Sequence, residues 1–310
     1  MSNVRVGVVG VGHIGREHAR IYSQLPGVDF VGLYDLDGHV AQKVAQRHEV
    51  KAFATAQALA EEVDAATIAT PTSTHHEIGG LFLGLGKHVL VEKPITDNTE
   101  QAKSLIDLAR EKNLVLQVGH IERFNPALNA LEEKLTHPRF IEAHRLSTYP
   151  GRSTDIGVVL DLMIHDIEVI LHLVRSPIVS IDSVGTAVLS KGEDIANARI
   201  RFENGCVANL TTSRISFEKM RKIRVFQDDA YLSLDYFDQS GEIYRKVNSQ
   251  IIKENIKVEK DEPLKLELSA FIDCVRLRQT PRVGGVQAAV ALDIAMRVTE
   301  QIAQQNARSS

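Results

Sequence analysis

The sequence predicts an α/β fold, a doubly wound parallel sheet, followed by an α+β domain built on a large, open, mainly antiparallel sheet. Three observations predict it. The chain opens with a valine-rich run, Val4 to Val9, that passes into the glycines Gly10, Gly12 and Gly15 and then into a helical pattern. Up to about residue 120, short apolar runs alternate with helical patterns, as parallel strands with crossover helices require. From Ile178 to about Val258 the chain reads instead as strands, several of them separated by turns such as Glu203-Asn204-Gly205 and Gln239-Ser240-Gly241. Hairpin-linked strands make an antiparallel sheet.

Taken in order, the first region offers strands at Val4–Val9, Phe30–Tyr34, Ala52–Phe53, Ala65–Ala69, His88–Val91 and Val115–Val118. Helical spacing is read at His13–Gln24, Gly38–His48, Thr55–Glu61, Thr74–Leu85 and Asn98–Lys112. The pattern changes after His120. A helix over Pro126–Leu135 leads to a strand over Phe140–Leu146, an irregular stretch over Ser147–Gly157 and a strongly apolar helix over Val158–Val174. Strands follow at Val179–Val188, Ala196–Phe202, Cys206–Ile215, Lys222–Phe226 and Tyr231–Tyr236, and helices at Leu264–Arg278 and Val286–Gln304 close the chain. The expected division is 1–121, 122–285, and a terminal helix, 286–310, that packs back on the first domain.

Composition narrows the function classes. The 310 residues are 44% hydrophobic and 25% charged, enough for two cores. A net charge of −4 gives no global pull toward nucleic acid or membrane, although local positive charge can serve an anionic substrate. The two cysteines, Cys206 and Cys274, form no C-x-x-C pair, which fits a reducing cytoplasm without disulfides or structural zinc. A strand begins within about four residues of Met1, so no signal peptide is expected, and no apolar run approaches the ~20 residues of a membrane span.

The opening glycines carry specific chemistry. Gly10 permits the turn out of the strand, Gly12 lets backbone approach a pyrophosphate, and Gly15 lets helix pack on strand. The helix N-terminus offers N–H groups and partial positive charge to phosphates. Asp35 ends the second strand, about twenty residues on, where an acid binds the adenosine ribose and repels a 2′-phosphate, so NAD is expected over NADP. The bland alternative is a βαβ unit whose glycines only serve packing.

Two loops lie at carboxyl ends of strands, where such sheets bind ligands. One is Ala69-Thr70-Pro71-Thr72-Ser73-Thr74-His75-His76, in which Thr72 or Ser73 can also simply cap the next helix. The other is Glu92-Lys93-Pro94, whose lysine can polarise a substrate oxygen or remain a solvated surface group. The Lys93-Pro94 bond is a candidate for cis.

On the apolar helix, Asp161 and His165 are four apart and share a face. A histidine takes a hydroxyl proton near neutral pH, and a carboxylate orients it. Alone, this pair reads equally as a buried histidine with local partners. His75-His76 are adjacent and diverge on a helix, so no metal site is expected. Around the junction, Arg123, Asn125, Arg145, Tyr149, Arg152, Asp155 and Arg214 supply forks, a ring and an amide suited to a diphosphate, a base and a sugar, or else are solvated polar groups.

These stretches resemble the Gfo/Idh/MocA oxidoreductases over nearly the whole chain. The resemblance rests on GVGHIG at 10–15, ATPTSTHHE at 69–77, EKP at 92–94, D-x-x-x-H-D at 161–166 and EPLKLELSAF at 262–271. It implies a Rossmann domain, a second domain with an open sheet, NAD as cofactor, and a homodimer or homotetramer formed through that sheet. It places Lys93, Asp161 and His165 in the catalytic positions. It places Gly10, Gly12, His13, Ile14, Gly15, Asp35, Ala69, Thr70, Pro71, Thr72, His75, Glu92, Lys93, Pro94 and His120 along the cofactor. Substrate contacts are expected from Arg123, Asn125, Tyr149, Arg152, Asp155 and Arg214. Within the family, GHIERFNPA at 119–127, GRSTDIGVVLDLMIHDIE at 151–168 and SRISFEKMRKIRVF at 213–226 resemble bacterial members that oxidise the 3-hydroxyl of UDP-N-acetylglucosamine on the way to 3-amino sugars of lipid A. The alternatives are a dehydrogenase of a free polyol or simple sugar, a non-catalytic NAD-binding sensor, and an NAD-dependent glycosidase.

Overall fold

The computed structural model describes residues 3–149 and 156–309. It divides into two units, 1–121 with 264–290, and 122–263 with 291–310.

The first unit contains β1 (Val4–Val9), α1 (His13–Tyr22), β2 (Val28–Tyr34), α2 (Gly38–His48), β3 (Lys51–Ala52), α3 (Ala56–Glu62), β4 (Ala65–Ile68), α4 (His75–Gly84), β5 (His88–Glu92), α5 (Thr99–Glu111) and β6 (Leu116–Gly119). Its six strands run in the order β3-β2-β1-β4-β5-β6, all parallel. β4 and β6 are buried at every position, because helices cover both faces of such a sheet and no polar alternation survives. The helices start where short polar side chains accept backbone N–H groups. Asp37 caps α2, Thr55 caps α3 and Asn98 caps α5. The strand order reverses between β1 and β4, and every carboxyl end lies on one edge.

The second unit begins with a 3₁₀ turn, Ile121–Phe124, whose first residue closes the first unit. It continues with α6 (Pro126–Glu132), β7 (Pro138–Leu146), α7 (Ile164–Val174), β8 (Ile178–Thr186), β9 (Ile195–Phe202), β10 (Val207–Ser213), β11 (Met220–Gln227), β12 (Ala230–Asp235), β13 (Ser240–Val247) and β14 (Gln250–Ile256). The strands form one sheet in the order β14-β13-β12-β11-β7-β10-β9-β8. All neighbours are antiparallel except β7 and β10. Residues of the central strands β9 to β12 alternate between the two faces. Ile141, Ala143, Leu210, Ile223, Val225, Leu232 and Leu234 point into a core completed by α6, α7 and the end of the chain. The other face is half-exposed and carries an aromatic row, Phe140, Phe226, Tyr231 and Tyr244, with successive ring centroids 5.7, 4.6 and 5.0 Å apart.

The chain ends in α8 (Pro263–Leu277) and α9 (Gly285–Ser309), and here the expected division needs correction. The segment that returns to the first unit is Leu264–Val290, not 286–310. Leu264, Leu268, Phe271, Ile272 and Val275 of α8 join the same core as Val4, Val6 and Tyr22. From Ala291 onward α9 belongs to the second unit, where Ala291, Ile294, Ala295, Val298 and Ile302 are core residues. Its backbone there accepts from β8, Ser183 Oγ donating to the Val298 carbonyl at 3.3 Å.

Candidate active site

In the first unit, the carboxyl edge of the sheet is shaped to receive a dinucleotide. Gly10 has φ +83°, a conformation that favours glycine, and an added Cβ would lie 2.7 Å from the Ala69 carbonyl oxygen. A Cβ on Gly15 would collide with the Gly10 carbonyl, so α1 packs on β1 only through glycine. A Cβ on Gly12 would meet nothing within 4 Å, so this backbone faces open space. Gly12 starts α1 without a side-chain cap, and no acid stands in the first turn, which includes His13, Ile14 and Gly15. The helix N-terminus is therefore available to an anion. Asp35 Oδ2 accepts from the Val11 N–H at 2.7 Å and Oδ1 from the Asp37 N–H at 2.9 Å. These bonds seat the carboxylate beside the glycine turn, as ribose recognition requires. The residues present fit a dinucleotide.

The loops after β4 and β5 are joined by one buried side chain. His75 Nε2 lies 2.9 Å from the Thr70 carbonyl, and Nδ1 lies 2.9 Å from the Pro94 carbonyl. Thr74 Oγ1 donates within the loop to the Pro71 carbonyl at 2.8 Å. His75 thus holds Ala69-Thr70-Pro71-Thr72 against the turn that presents Lys93. The Lys93-Pro94 bond is cis. Behind Lys93, Glu92 pairs with the buried His18 at 3.2 Å. Burial pushes the Glu92 carboxyl up, but the bond and charge of His18, with the charge of Lys93, outweigh it and hold its pKa below the usual value. Gly119 leaves the room Glu92 needs, since a Cβ there would lie 2.9 Å from the carboxylate. His120 follows, buried. The His18–Glu92 partnership was not legible in the sequence, because it joins residues far apart along the chain.

In the second unit, α7 is preceded by a wide, π-type turn over Val159–Met163, closed by the Ile164 N–H on the Val159 carbonyl. Such turns re-aim side chains and recur at functional sites. Asp161 stands in this turn, and His165, buried, stands in the first turn of α7. The expected single helix over Val158–Val174 is thus two kinds of turn joined end to end.

The helix is locked by ions. Arg145 of β7 grips Asp166 with Nε and Nη2 at 2.8 and 2.9 Å, and gives Nη1 to Glu122 at 2.8 Å. Burial acts against its charge, but the two carboxylates outweigh that and raise its pKa above the ordinary arginine value. Arg123 pairs with Glu168 at 2.6 Å, both 3% exposed.

Several expected substrate contacts lie elsewhere than anticipated. Arg123 is committed to Glu168, and Arg214, 1% exposed, is committed to Asp194 at 2.9 Å. Asn125 caps α6 through Oδ1 and donates Nδ2 to the Tyr236 carbonyl at 3.1 Å. These side chains serve the interior because charge in a low-dielectric core must be matched. Tyr149 is exposed. Arg152 and Asp155 lie outside the described residues.

Asp194 also accepts from the Ser190 hydroxyl and from the N–H groups of Val188, Leu189 and Ser190. Burial alone would raise its pKa, but these donors hold it far below the carboxylate range. The resulting stabilisation is full above the unfolded value of about 3.9 and is lost as pH falls toward the folded value. Arg214→Met should destabilise the fold by about 1.5–3 kcal/mol in denaturant unfolding, since it removes a buried charged hydrogen bond while the Ser190 hydroxyl and three backbone N–H groups still hold Asp194. A variant of unchanged stability with a raised KM would instead return Arg214 to the substrate.

Comparison with known proteins agrees with this geometry. Residues 4–120 match a family described as an oxidoreductase family with an NAD-binding Rossmann fold, and residues 133–233 match the GFO/IDH/MocA C-terminal domain. The chain belongs to the Gfo/Idh/MocA oxidoreductase family. It is an NAD-binding enzyme of that family, with a parallel Rossmann sheet and a second, mostly antiparallel sheet. It is 36% identical over 305 residues to UDP-N-acetylglucosamine 3-dehydrogenase of Acidithiobacillus ferrooxidans, covering 96% of this chain and 97% of that one. A solved structure of that enzyme superposes with a TM-score of 0.93 at 37% identity, over 97% of this chain and 98% of the other. The chain is also 25% identical to scyllo-inositol 2-dehydrogenase (NAD(+)) of Bacillus subtilis, over 96% and 93% of the two chains. Among the described residues, no helix is long and apolar enough to cross a membrane, and no group of three or more His, Cys, Asp or Glu is placed to hold a metal ion.

Proposed function

We propose that this Gfo/Idh/MocA enzyme oxidises the 3-hydroxyl of UDP-N-acetylglucosamine to the ketone with NAD. The observation that carries the reading is the full-length similarity to an enzyme of that name. Two features of the chain support it. Lys219 and Arg221 place cations around the β10–β11 connection, where a neutral polyol would need none. Phe217 in that connection is fully exposed, as a stacking platform for a base would be. The inositol dehydrogenases among the relatives favour a free polyol as the second reading.

In this reading His165 takes the hydroxyl proton and Asp161 holds the imidazole in the tautomer that accepts it. Lys93 stabilises the negative charge that grows on the oxygen. NAD, when bound, accepts the hydride. His13, Ile14 and Gly15 at the start of α1 take the pyrophosphate, and Asp35 takes the adenosine ribose. The ketone produced is suited to reductive or transaminating amination, which would yield a 3-amino sugar of the kind used in lipid A, in the cytoplasm. Substrate deuterated at C3 should give labelled reduced cofactor and a primary isotope effect. Label retained in the sugar product would remove the 3-hydroxyl from the account.

A second copy of the chain is the partner proposed for the open sheet face, as homodimer or homotetramer. The aromatic row from Phe140 to Tyr244 gives that face a half-buried apolar strip. Phe226→Asp should shift the species seen by light scattering toward the monomer; an unchanged mass would exclude this face.

A further inference from the structure

On the helix-covered face of the second sheet, the apolar rows end in a polar one. Leu234, Ile223, Ala143 and Leu210 are in register across β12, β11, β7 and β10. Two residues further toward the same end, the row reads Tyr236, Arg221, Arg145, Thr212. Arg221 is opposite Arg145, Arg145 is opposite Thr212, and the Tyr236 N–H donates to the Arg221 carbonyl. Side chains two apart share a face, and neighbouring strands lie about 5 Å apart, so these four side chains form one line.

Their state of satisfaction differs. Arg145 has spent its fork on Asp166 and Glu122. Arg221 has not. Its carboxylate neighbour is Glu122 at 3.9 Å, through the same oxygen that already accepts from Arg145 at 2.8 Å. Arg221 is half-exposed, and its pKa is lowered by burial and by the adjacent Arg145 charge. Beside it, the Tyr236 hydroxyl is buried and has no hydrogen-bond partner among the described residues; Thr212 lies two strands away, beyond Arg145. A buried hydroxyl without a partner is costly, and an arginine fork beside it matches the oxygens of a phosphate.

We propose that Arg221, with the hydroxyl of Tyr236, forms a receptor for a phosphate group of the substrate. The ligand class is a nucleoside diphosphate, the arm of a nucleotide sugar, and the proposal rests on the nucleotide-sugar reading above. Arg221 supplies the charge and the fork, and the Tyr236 hydroxyl supplies a neutral donor. Arg145 stays with its carboxylates and does not compete.

The test is titration of the NAD-saturated enzyme with UDP, which reads the arm without the sugar. Arg221→Gln should weaken UDP by about 10–100-fold, as loss of a charged hydrogen bond does. Arg221→Lys keeps the charge, loses the fork and should weaken UDP by a smaller factor, which keeps the test valid if the glutamine variant folds poorly. Lys246→Gln, an exposed cation elsewhere on the sheet, should leave UDP binding unchanged. Equal UDP affinity in wild type and both Arg221 variants overturns the receptor and leaves the nucleotide-sugar reading standing. An equal loss in Lys246→Gln overturns it too, by showing bulk charge alone. Failure of the wild-type holoenzyme to bind UDP overturns both.

Discussion

Replacing His165 by asparagine should lower kcat by about 10²–10⁴-fold, the usual contribution of a positioned general base. The Kd for NADH should not change, because the glycine turn, Asp35 and the His75 loop all belong to the first unit. The loss should fall on the chemical step. A primary isotope effect with C3-deuterated substrate should grow as hydride transfer becomes rate-limiting. The side chain is buried at the start of α7, on a helix held by the Arg145–Asp166 and Arg123–Glu168 pairs, so the smaller amide should be tolerated. Full activity in His165→Asn, measured by steady-state turnover, would take the proton acceptor away from this residue.

Lys93→Met should cost about 10²–10³-fold in kcat, the range seen when one group that stabilises a developing oxyanion is removed. Methionine keeps most of the apolar stem and removes only the charge. The turn that presents the residue should persist, because its bonds come from His75 to the Pro94 carbonyl and from the Glu92–His18 pair. Fluorescence titration with NADH should therefore show affinity within a few-fold of wild type. A fall in NADH affinity that accounts for the whole kinetic loss would make Lys93 a cofactor residue only.

What the sequence disclosed was local. The glycine turn, the acid at the end of β2 and the Glu92-Lys93-Pro94 turn each depend on residues close together along the chain, and parallel strands place them on one edge. The same holds for the strand runs and intervening turns that marked β9 to β12 as an antiparallel sheet. The fate of the arginines was not local. Whether Arg123 or Arg214 meets solvent depends on Glu168 and Asp194, which folding brings up from elsewhere. The row that unites Tyr236, Arg221, Arg145 and Thr212 exists only through strand register, so no spacing rule could find it. The terminal helices show a further limit. An apolar stripe says that a helix has a core to meet, but not which one, and so α8 and α9 exchanged their expected places.

Selection of a nucleotide sugar by this dehydrogenase is the property that decides its function. It is tested most directly by absorbance at the NADH band, with purified enzyme, NAD and a panel of UDP-N-acetylglucosamine, inositol and glucose. Glutamate and an aminotransferase that accepts the 3-keto sugar are added to draw the ketone forward. NADH formation with UDP-N-acetylglucosamine and none with inositol or glucose is the predicted result. Turnover of inositol or glucose, with none of the nucleotide sugar, would contradict the account and make the enzyme a polyol or simple-sugar dehydrogenase.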